Sequence, residues 1–252
     1  MELSRRLQAV ADLVTPGYRI VDIGTDHAYI PIYLTEKHIV PKALAVDINP
    51  GPLKRAEEHI RQSNVEEKIT LRLSDGLGKV KPDEAECAVL AGMGGALMIK
   101  ILEEGEMIVR RLKECVLQPQ SEIAKVRTFL LEKGFLFQTE DMVEEEGKFY
   151  PMMKVIPGKG RQSSSVWNPV EIQYGRLLLG QKNPVLYRFL DREIQEKCAI
   201  LRQLKEINTA RARKREEQVR LELDRAKKGM EYYAVQRNYK GNRERLSQRS
   251  GS

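Results

Sequence analysis

VDIGTDHAYIP, residues 21–31, begins as an apolar strand carrying Asp22 and breaks at Gly24 into a turn. ALAVDINP, residues 43–50, repeats the pattern and ends its apolar run in Asp47. A parallel sheet presents its ligand site at the carboxyl ends of its strands, so Asp22, Gly24 and Asp47 are expected to converge on one crevice. An acid ending the second strand is placed to accept both hydroxyls of a ribose. The expected ligand is therefore a cofactor that carries a nucleoside.

The loop chemistry narrows the choice. A dinucleotide requires a Gly-x-Gly-x-x-Gly turn, where the backbone approaches a pyrophosphate at a helix N-terminus. Here Asp26 and Tyr29 stand where the second and third glycines would be. A carboxylate at Asp26 repels phosphates, which argues against a nicotinamide-dependent oxidoreductase. It suits a cofactor that carries positive charge instead. S-adenosylmethionine has a sulfonium, an ammonium group and an adenosine ribose, and it has no phosphate. The plainer alternative is an ordinary strand-to-helix turn in which Asp26 caps the helix.

Two further strand ends extend the pattern, ITLRLSDGL (69–77) and CAVLAGMGG (87–95). Asp75, followed by Gly76, is placed to accept from an adenine amino group. The fourth strand empties into Gly92, Met93, Gly94 and Gly95, a stretch with little side-chain bulk. Such a loop lets backbone groups touch a flat substrate edge-on. Any one of these ends is explained by a turn, but that account is poor for all of them together.

At these residues the chain resembles the class I methyltransferases. More narrowly, GTDHAYIP with AGMGG resembles the bacterial tRNA (adenine-22-N1)-methyltransferase family, over nearly the whole chain. Together with the strand ends, the resemblance implies S-adenosylmethionine contacts at Asp22, Gly24, Thr25, Asp47, Ile48, Asn49, Asp75, Gly76, Gly92 and Met93. Gly94 and Gly95 would lie beside the target base. Adenine, its N1 atom and position 22 come from the resemblance alone. The wider superfamily has glycine where this chain has Asp26, so contacts there do not carry over directly. The Asn-Pro-Pro-aromatic loop of many amino-directed methyltransferases is also missing, which favours a ring nitrogen as acceptor.

For the reaction that the resemblance implies, Asp26 is the first candidate to stabilise a methylated, cationic base, with His27 as a polar group beside it and Tyr29 as a stacking surface. Each has a plainer reading: Asp26 as a cofactor contact or cap, His27 as a packed, hydrogen-bonded histidine, and Tyr29 as core.

Alternating strands (19–23, 42–47, 69–73, 86–90, 114–118) and helices (28–37, 50–63, 95–110, 121–133) predict a Rossmann-like, doubly wound α/β sheet over 1–158. An amphipathic helix opens the chain with Leu3, Leu7, Val10 and Val14 on one face, and segments 135–143 and 148–158 predict a terminal β-hairpin. The linker GKGRQSSSVWNP (158–169) leads into a helical region, 159–252. There Leu190, Ile194, Lys197, Leu201, Leu204 and Asn208 recur at steps of four and three. Ala212, Glu216, Val219, Leu223, Ala226, Met230 and Tyr233 do the same. Two such seams joined near Asn208–Arg211 predict a coiled-coil-like antiparallel hairpin. Intrachain pairing makes the protein a monomer; a homodimer through these helices is the alternative. The tail, GNRERLSQRSGS, is expected to be disordered.

Charge is split between the two parts. Residues 1–158 hold 21 Lys/Arg against 25 Asp/Glu, a net of −4, whereas 159–252 hold 22 against 11, a net of +11. A basic half beside a mildly acidic one suggests a polyanionic partner, here tRNA, held by one part and modified by the other. Arg211, Arg213, Lys214 and Arg215 cluster at the hairpin tip, and Arg220, Arg225, Lys227 and Lys228 follow. A non-catalytic RNA-binding protein is the alternative reading of the same charge. Cys87, Cys115 and Cys198 are scattered, which suits a reducing cytoplasm, with Cys87 and Cys115 expected as buried core. No apolar run is long enough for a membrane span, no secretory signal is expected, and no metal-ligand cluster is visible.

Overall fold

The computed structural model describes residues 1–158, 166–207 and 209–234. Residues 159–165 of the expected linker, Asn208 of the expected turn and the tail 241–252 lie outside the described residues. Two compact units are present, Met1–Val166 and Trp167–Ser252.

In the first unit, α1 (Arg5–Asp12) starts at Ser4, whose hydroxyl accepts from the Leu7 amide. It buries Val10, and Leu3 and Leu7 pack against the same core. Then follow β1 (Ile20–Ile23), α2 (Tyr29–Glu36), β2 (Ala43–Asp47), α3 (Pro50–Gln62), β3 (Ile69–Leu73), β4 (Cys87–Met93), α4 (Gly95–Glu104) and α5 (Glu106–Val109). The unit closes with β5 (Glu114–Pro119), α6 (Ile123–Glu132), β6 (Leu136–Glu145) and β7 (Lys148–Ile156). The sheet order is β3-β2-β1-β4-β5-β7-β6. The first five strands are parallel, and β7 and β6 add an antiparallel hairpin at the edge. This is the doubly wound sheet with terminal hairpin expected from the alternation of elements. The chain reverses its direction of winding between β1 and β4, and ligands of such sheets bind at that switch point.

Parallel strands covered on both faces are mostly apolar, and every residue of β1 and β5 is buried, with Asp22, Glu114 and Gln118 as the polar exceptions. One core layer includes Val21, Leu90, Leu117 and Met153; the other includes Ile20, Ala45, Val89 and Met152. Burying a side chain of this size stabilises the fold by about 1.5–3 kcal/mol. Cys87 and Cys115 are free and buried in this core. Burial pushes the Cys115 thiol up to about 12, with the Glu114 charge adding to the shift.

Two local expectations need correction. The helix expected over 95–110 is interrupted at Gly105, which packs so closely on Leu77 that a Cβ there would lie 2.5 Å from Leu77 Cδ1. The glycine-rich stretch after β4 is also not a free loop. Ala91 and Met93 pair with Gln118 and Pro119 of β5, with an irregularity at Gly92, so β4 continues to Met93.

The second unit contains α7 (Pro169–Tyr174), α8 (Arg176–Gly180), α9 (Pro184–Leu204) and α10 (Ala210–Ala234). The two short helices were not expected. A capping box at Asn168, reciprocated by Glu171, starts α7. The α9 and α10 helices pair antiparallel within the chain: Tyr187 meets Tyr233, Leu190 lies beside Gly229, Lys197 pairs with Glu222, and Leu201 packs with Val219 and Leu223. Gly229, rather than the expected Met230, takes the close-contact position of the seam. A Cβ at Gly229 would come within 3.1 Å of Leu190 Cδ2.

Candidate active site

A cleft of about 290 Å³ opens at the carboxyl ends of β1 and β4. Residues 24–30 form one wall, Ala91, Gly92 and Gln120 another, and Arg6 and Leu7 a third, with Asp22 at the base. Asp22 is buried at 6% exposure. Burial raises its carboxyl to about 6; the Thr25 side chain opposes the shift and the Asp47 charge adds to it. The Thr25 hydroxyl oxygen is itself buried without a well-formed hydrogen bond among the described residues. Gly24 has φ +78°, and its amide and that of Thr25 both donate to the Val46 carbonyl, so the loop is anchored on β2. Only glycine adopts that backbone geometry without strain.

The remainder of the loop departs from the simple turn. The N-cap of α2 is Ala28 at φ +54°, with no side-chain cap, so Asp26 does not cap the helix. Asp26 instead reaches α3. Its side chain is 64% exposed and accepts from Arg55 Nη2 at 2.5 Å, while His27 Nε2 lies 3.3 Å from its other oxygen. The rings of His27, Tyr29 and His59 lie nearly parallel, with centroids 5.0–5.4 Å apart. His59 Nδ1 sits 3.3 Å from the His27 carbonyl oxygen, to which it donates when that nitrogen carries the proton. Tyr29 is 37% exposed and is not core, whereas His27 packs against the Tyr29 and His59 rings with its Nδ1 buried and without a hydrogen-bond partner among the described residues.

The other strand ends lie along the same edge of the sheet. Asp47 ends β2 and accepts from the Asn49 amide at 2.8 Å, and its carbonyl accepts from the Ser74 amide. Ile48 presents an exposed apolar side chain immediately after it. Asp75 is exposed, whereas Gly76 is buried at φ +49° against Ile101. These residues, with Met93 and Gly94, lie outside the lining of the cleft itself. Gly95 does as well, and a Cβ there would stand 2.5 Å from the Ser121 carbonyl. Its glycine lets the start of α4 pack on residues 121–122.

Sequence reasoning missed Arg6, Arg55, His59, Gln118 and Gln120. Gln118 is fully buried, and its Oε1 accepts both from Arg6 Nη1 at 2.9 Å and from the Gly92 amide at 3.1 Å. The Arg6 guanidinium also lies over the Tyr150 ring, 5.6 Å from its centroid.

In the second unit, Arg211, Arg213, Lys214 and Arg215 are all exposed in the first turns of α10. Arg215 reaches Glu222 at 3.5 Å. Farther along, Arg220 pairs with Glu216 and Lys228 with Asp224 across one helical turn, and Arg225 is half-buried. Part of the basic stripe expected down α10 is therefore paired within the helix. Among the described residues no cluster could hold a metal ion, and no helix is long and apolar enough to cross a membrane.

Strand-end acids, a glycine turn anchored on the next strand and a cleft at the switch point define a methyltransferase domain, and the methyltransferase domain family matches residues 3–153. The tRNA (adenine(22)-N(1))-methyltransferase of Bacillus subtilis is 32% identical over 208 residues, 81% of this chain and 86% of its own length. The chain belongs to the tRNA (adenine(22)-N(1))-methyltransferase family. Among solved structures, a putative tRNA (m1A22) methyltransferase of Streptococcus pneumoniae aligns with TM-score 0.82 at 28% identity, covering 91% of this chain and 100% of that one. The same protein in complex with S-adenosyl-L-methionine gives 0.80 at 27% identity, over 91% and 100%. The M. capricolum TrmK complex with S-adenosyl-homocysteine gives 0.79 at 26% identity, over 92% and 99%.

Proposed function

We propose that this protein methylates N1 of adenine 22 in tRNA with S-adenosylmethionine as donor. The observation that carries the reading is the family likeness over most of the chain, combined with a cleft whose base is the buried carboxyl of Asp22. The cofactor fits the residues present. Among the described residues no cation is paired with Asp22, and burial raises its carboxyl to about 6, so an ammonium or sulfonium beside it relieves an unfavourable charged site. The buried Thr25 hydroxyl beside Asp22 supplies a further polar contact. Asp47 takes the ribose, the exposed face of Ile48 and the Asn49 backbone border the nucleoside, and Asp75 with Gly76 meets the adenine. Gly24 and Gly92 let the backbone approach, and Met93 packs behind Gly24, 3.3 Å from where its Cβ would be.

When bound, S-adenosylmethionine supplies an electrophilic methyl group. Neutral adenine already carries a lone pair on N1, so the protein's task is alignment more than deprotonation. Tyr29, backed by His27 and His59, offers a flat surface for the extruded base; stacking of this kind contributes about 1–3 kcal/mol. The methylated base is cationic, and Asp26, oriented by Arg55, stabilises that charge or accepts the N6 proton. Gly94 borders the acceptor. Residues 1–158 carry this chemistry. The basic region 159–252 docks the tRNA through Arg211, Arg213, Lys214 and Arg215, which contact phosphates and read shape rather than sequence. The helical seam is satisfied within one chain, which supports a monomer, and the free cysteines Cys87 and Cys115, buried in the core, support a cytoplasmic location.

The test is incubation with unmodified tRNA and methyl-labelled S-adenosylmethionine, followed by nucleoside mass spectrometry. The expected product is 1-methyladenosine at position 22. Binding of both partners with no label in RNA overturns the reading in favour of a non-catalytic RNA-binding protein.

A further inference from the structure

The sheet order separates two sides of the cleft. Asp22 and Asp47 belong to β1 and β2 and Asp75 follows the end of β3, so the cofactor's nucleoside is assigned to that side of the switch point. An acceptor must then enter over β4 and β5. Arg6 stands on that second side, although it comes from α1 at the start of the chain. Its Nη1 donates to Gln118 of β5, and the same Gln118 oxygen accepts from Gly92 of β4. Gln118 Nε2 donates to the Pro119 carbonyl, so the amide is fixed at both ends. The nearby carboxylate of Glu145 accepts from the Arg6 backbone amide at 3.3 Å. Among the described residues the guanidinium makes this single side-chain hydrogen bond, which leaves Nε and Nη2 as donors in a residue that lines the cleft. A buried glutamine that locks a cation at the acceptor entrance is more than packing requires. The acceptor is a polyanion whose reactive base carries its own phosphates.

We infer that Arg6 binds a phosphate flanking the target nucleotide and that Gln118 is its positioning residue; the inference rests on the tRNA-methylation reading above. Arginine presents its donors in a planar fork that matches phosphate oxygens, and lysine presents a point charge.

The test uses the full chain as Arg6→Ala, Arg6→Lys and Gln118→Ala, with thermal melts to confirm folding. It also uses tRNA carrying one neutral methylphosphonate linkage on either side of the target adenosine. For the unaltered protein, one of the two neutral linkages is expected to weaken tRNA binding about ten- to a hundredfold, as removal of one charge-assisted hydrogen bond would. Arg6→Ala should show a similar loss with normal tRNA and almost no further loss with the neutral linkage. Arg6→Lys should recover part of the affinity, and Gln118→Ala should fall between the two. Cofactor affinity, measured by calorimetry, should stay within about twofold, because a contact made only to RNA leaves it untouched. Additive losses, indifference to both neutral linkages, or a cofactor affinity that falls as far as tRNA affinity would each overturn the assignment. Because the readout is binding, absence of methyl transfer by the unaltered protein would count against the functional reading and not against Arg6.

Discussion

Arg55 Nη2 donates to Asp26 Oδ1 at 2.5 Å, which ties the loop after β1, a wall of the cleft, to helix α3. Both partners are largely exposed, so the pair contributes at most about 1 kcal/mol to stability. Its consequence is directional: it fixes where the Asp26 carboxylate points. Arg55→Ala should leave the melting temperature within a few degrees of the unaltered protein and lower kcat about tenfold, with cofactor affinity unchanged. Single-turnover methylation beside a thermal melt reads both quantities. An unchanged kcat would mean that Asp26 needs no orientation from α3.

Asp22 gives cofactor binding a pH dependence. Its folded carboxyl titrates at about 6, above the ordinary value of 3.8, so its charged form is the strained one. Its contribution to stability is complete below the unfolded value and is lost as pH rises through about 6. A bound cation favours the carboxylate and reverses that preference. S-adenosylmethionine affinity should therefore rise about tenfold between pH 5 and pH 7, and Asp22→Asn should flatten the profile. Calorimetry across that range checks the slope. A flat profile in the unaltered protein would show that no positive charge of the ligand reaches Asp22.

Asp47 tests the other half of the cofactor. Its carboxylate already holds the Asn49 amide, so it is preoriented at the end of β2. Asp47→Ala should weaken S-adenosylmethionine by roughly ten- to a hundredfold, as for loss of hydrogen bonds to a charged acceptor. The effect should appear in Kd and KM with little change in kcat. Unchanged affinity would remove Asp47 from the ribose.

How far the site can be read from sequence depends on how local its causes are. Buried parallel strands are mostly apolar, and Asp22, Asp47 and Asp75 interrupt that pattern at or near the strand ends, so the sheet and its ligand edge are legible. Ala91, Gly92 and Met93 look alike in a strand or a loop; pairing with Gln118 and Pro119 of β5, a tertiary contact, decides for strand. Gly105, where the helix is interrupted, packs against Leu77, which is distant in sequence. Arg6, Arg55 and His59 escape notice for the same reason. Each lies on an amphipathic helix where a polar residue is unremarkable, and only the packing of α1 and α3 brings it to the strand ends. The available signal was Arg6 directly preceding Leu7 on the apolar face, together with a glutamine, Gln118, inside a wholly buried strand.

The basic start of α10 yields a prediction about tRNA alone. Arg211, Arg213, Lys214 and Arg215 are exposed together within five residues, and Arg215 reaches Glu222 much as Arg220 and Lys228 reach Glu216 and Asp224 farther along. Exposed pairs of that kind are weak and partly screened, so the four tip residues should dominate attraction for a polyanion. Changing all four to Glu in the full chain should raise KM for tRNA more than tenfold and leave S-adenosylmethionine affinity unaltered. Removing a phosphate partner should also reduce the slope of log affinity against log salt, by about 0.9 for each phosphate no longer neutralised. A loss of affinity with an unchanged slope would point to a distorted hairpin, which a melt would reveal. Unchanged KM and slope would release the tip from RNA docking and make it a solvated helix end.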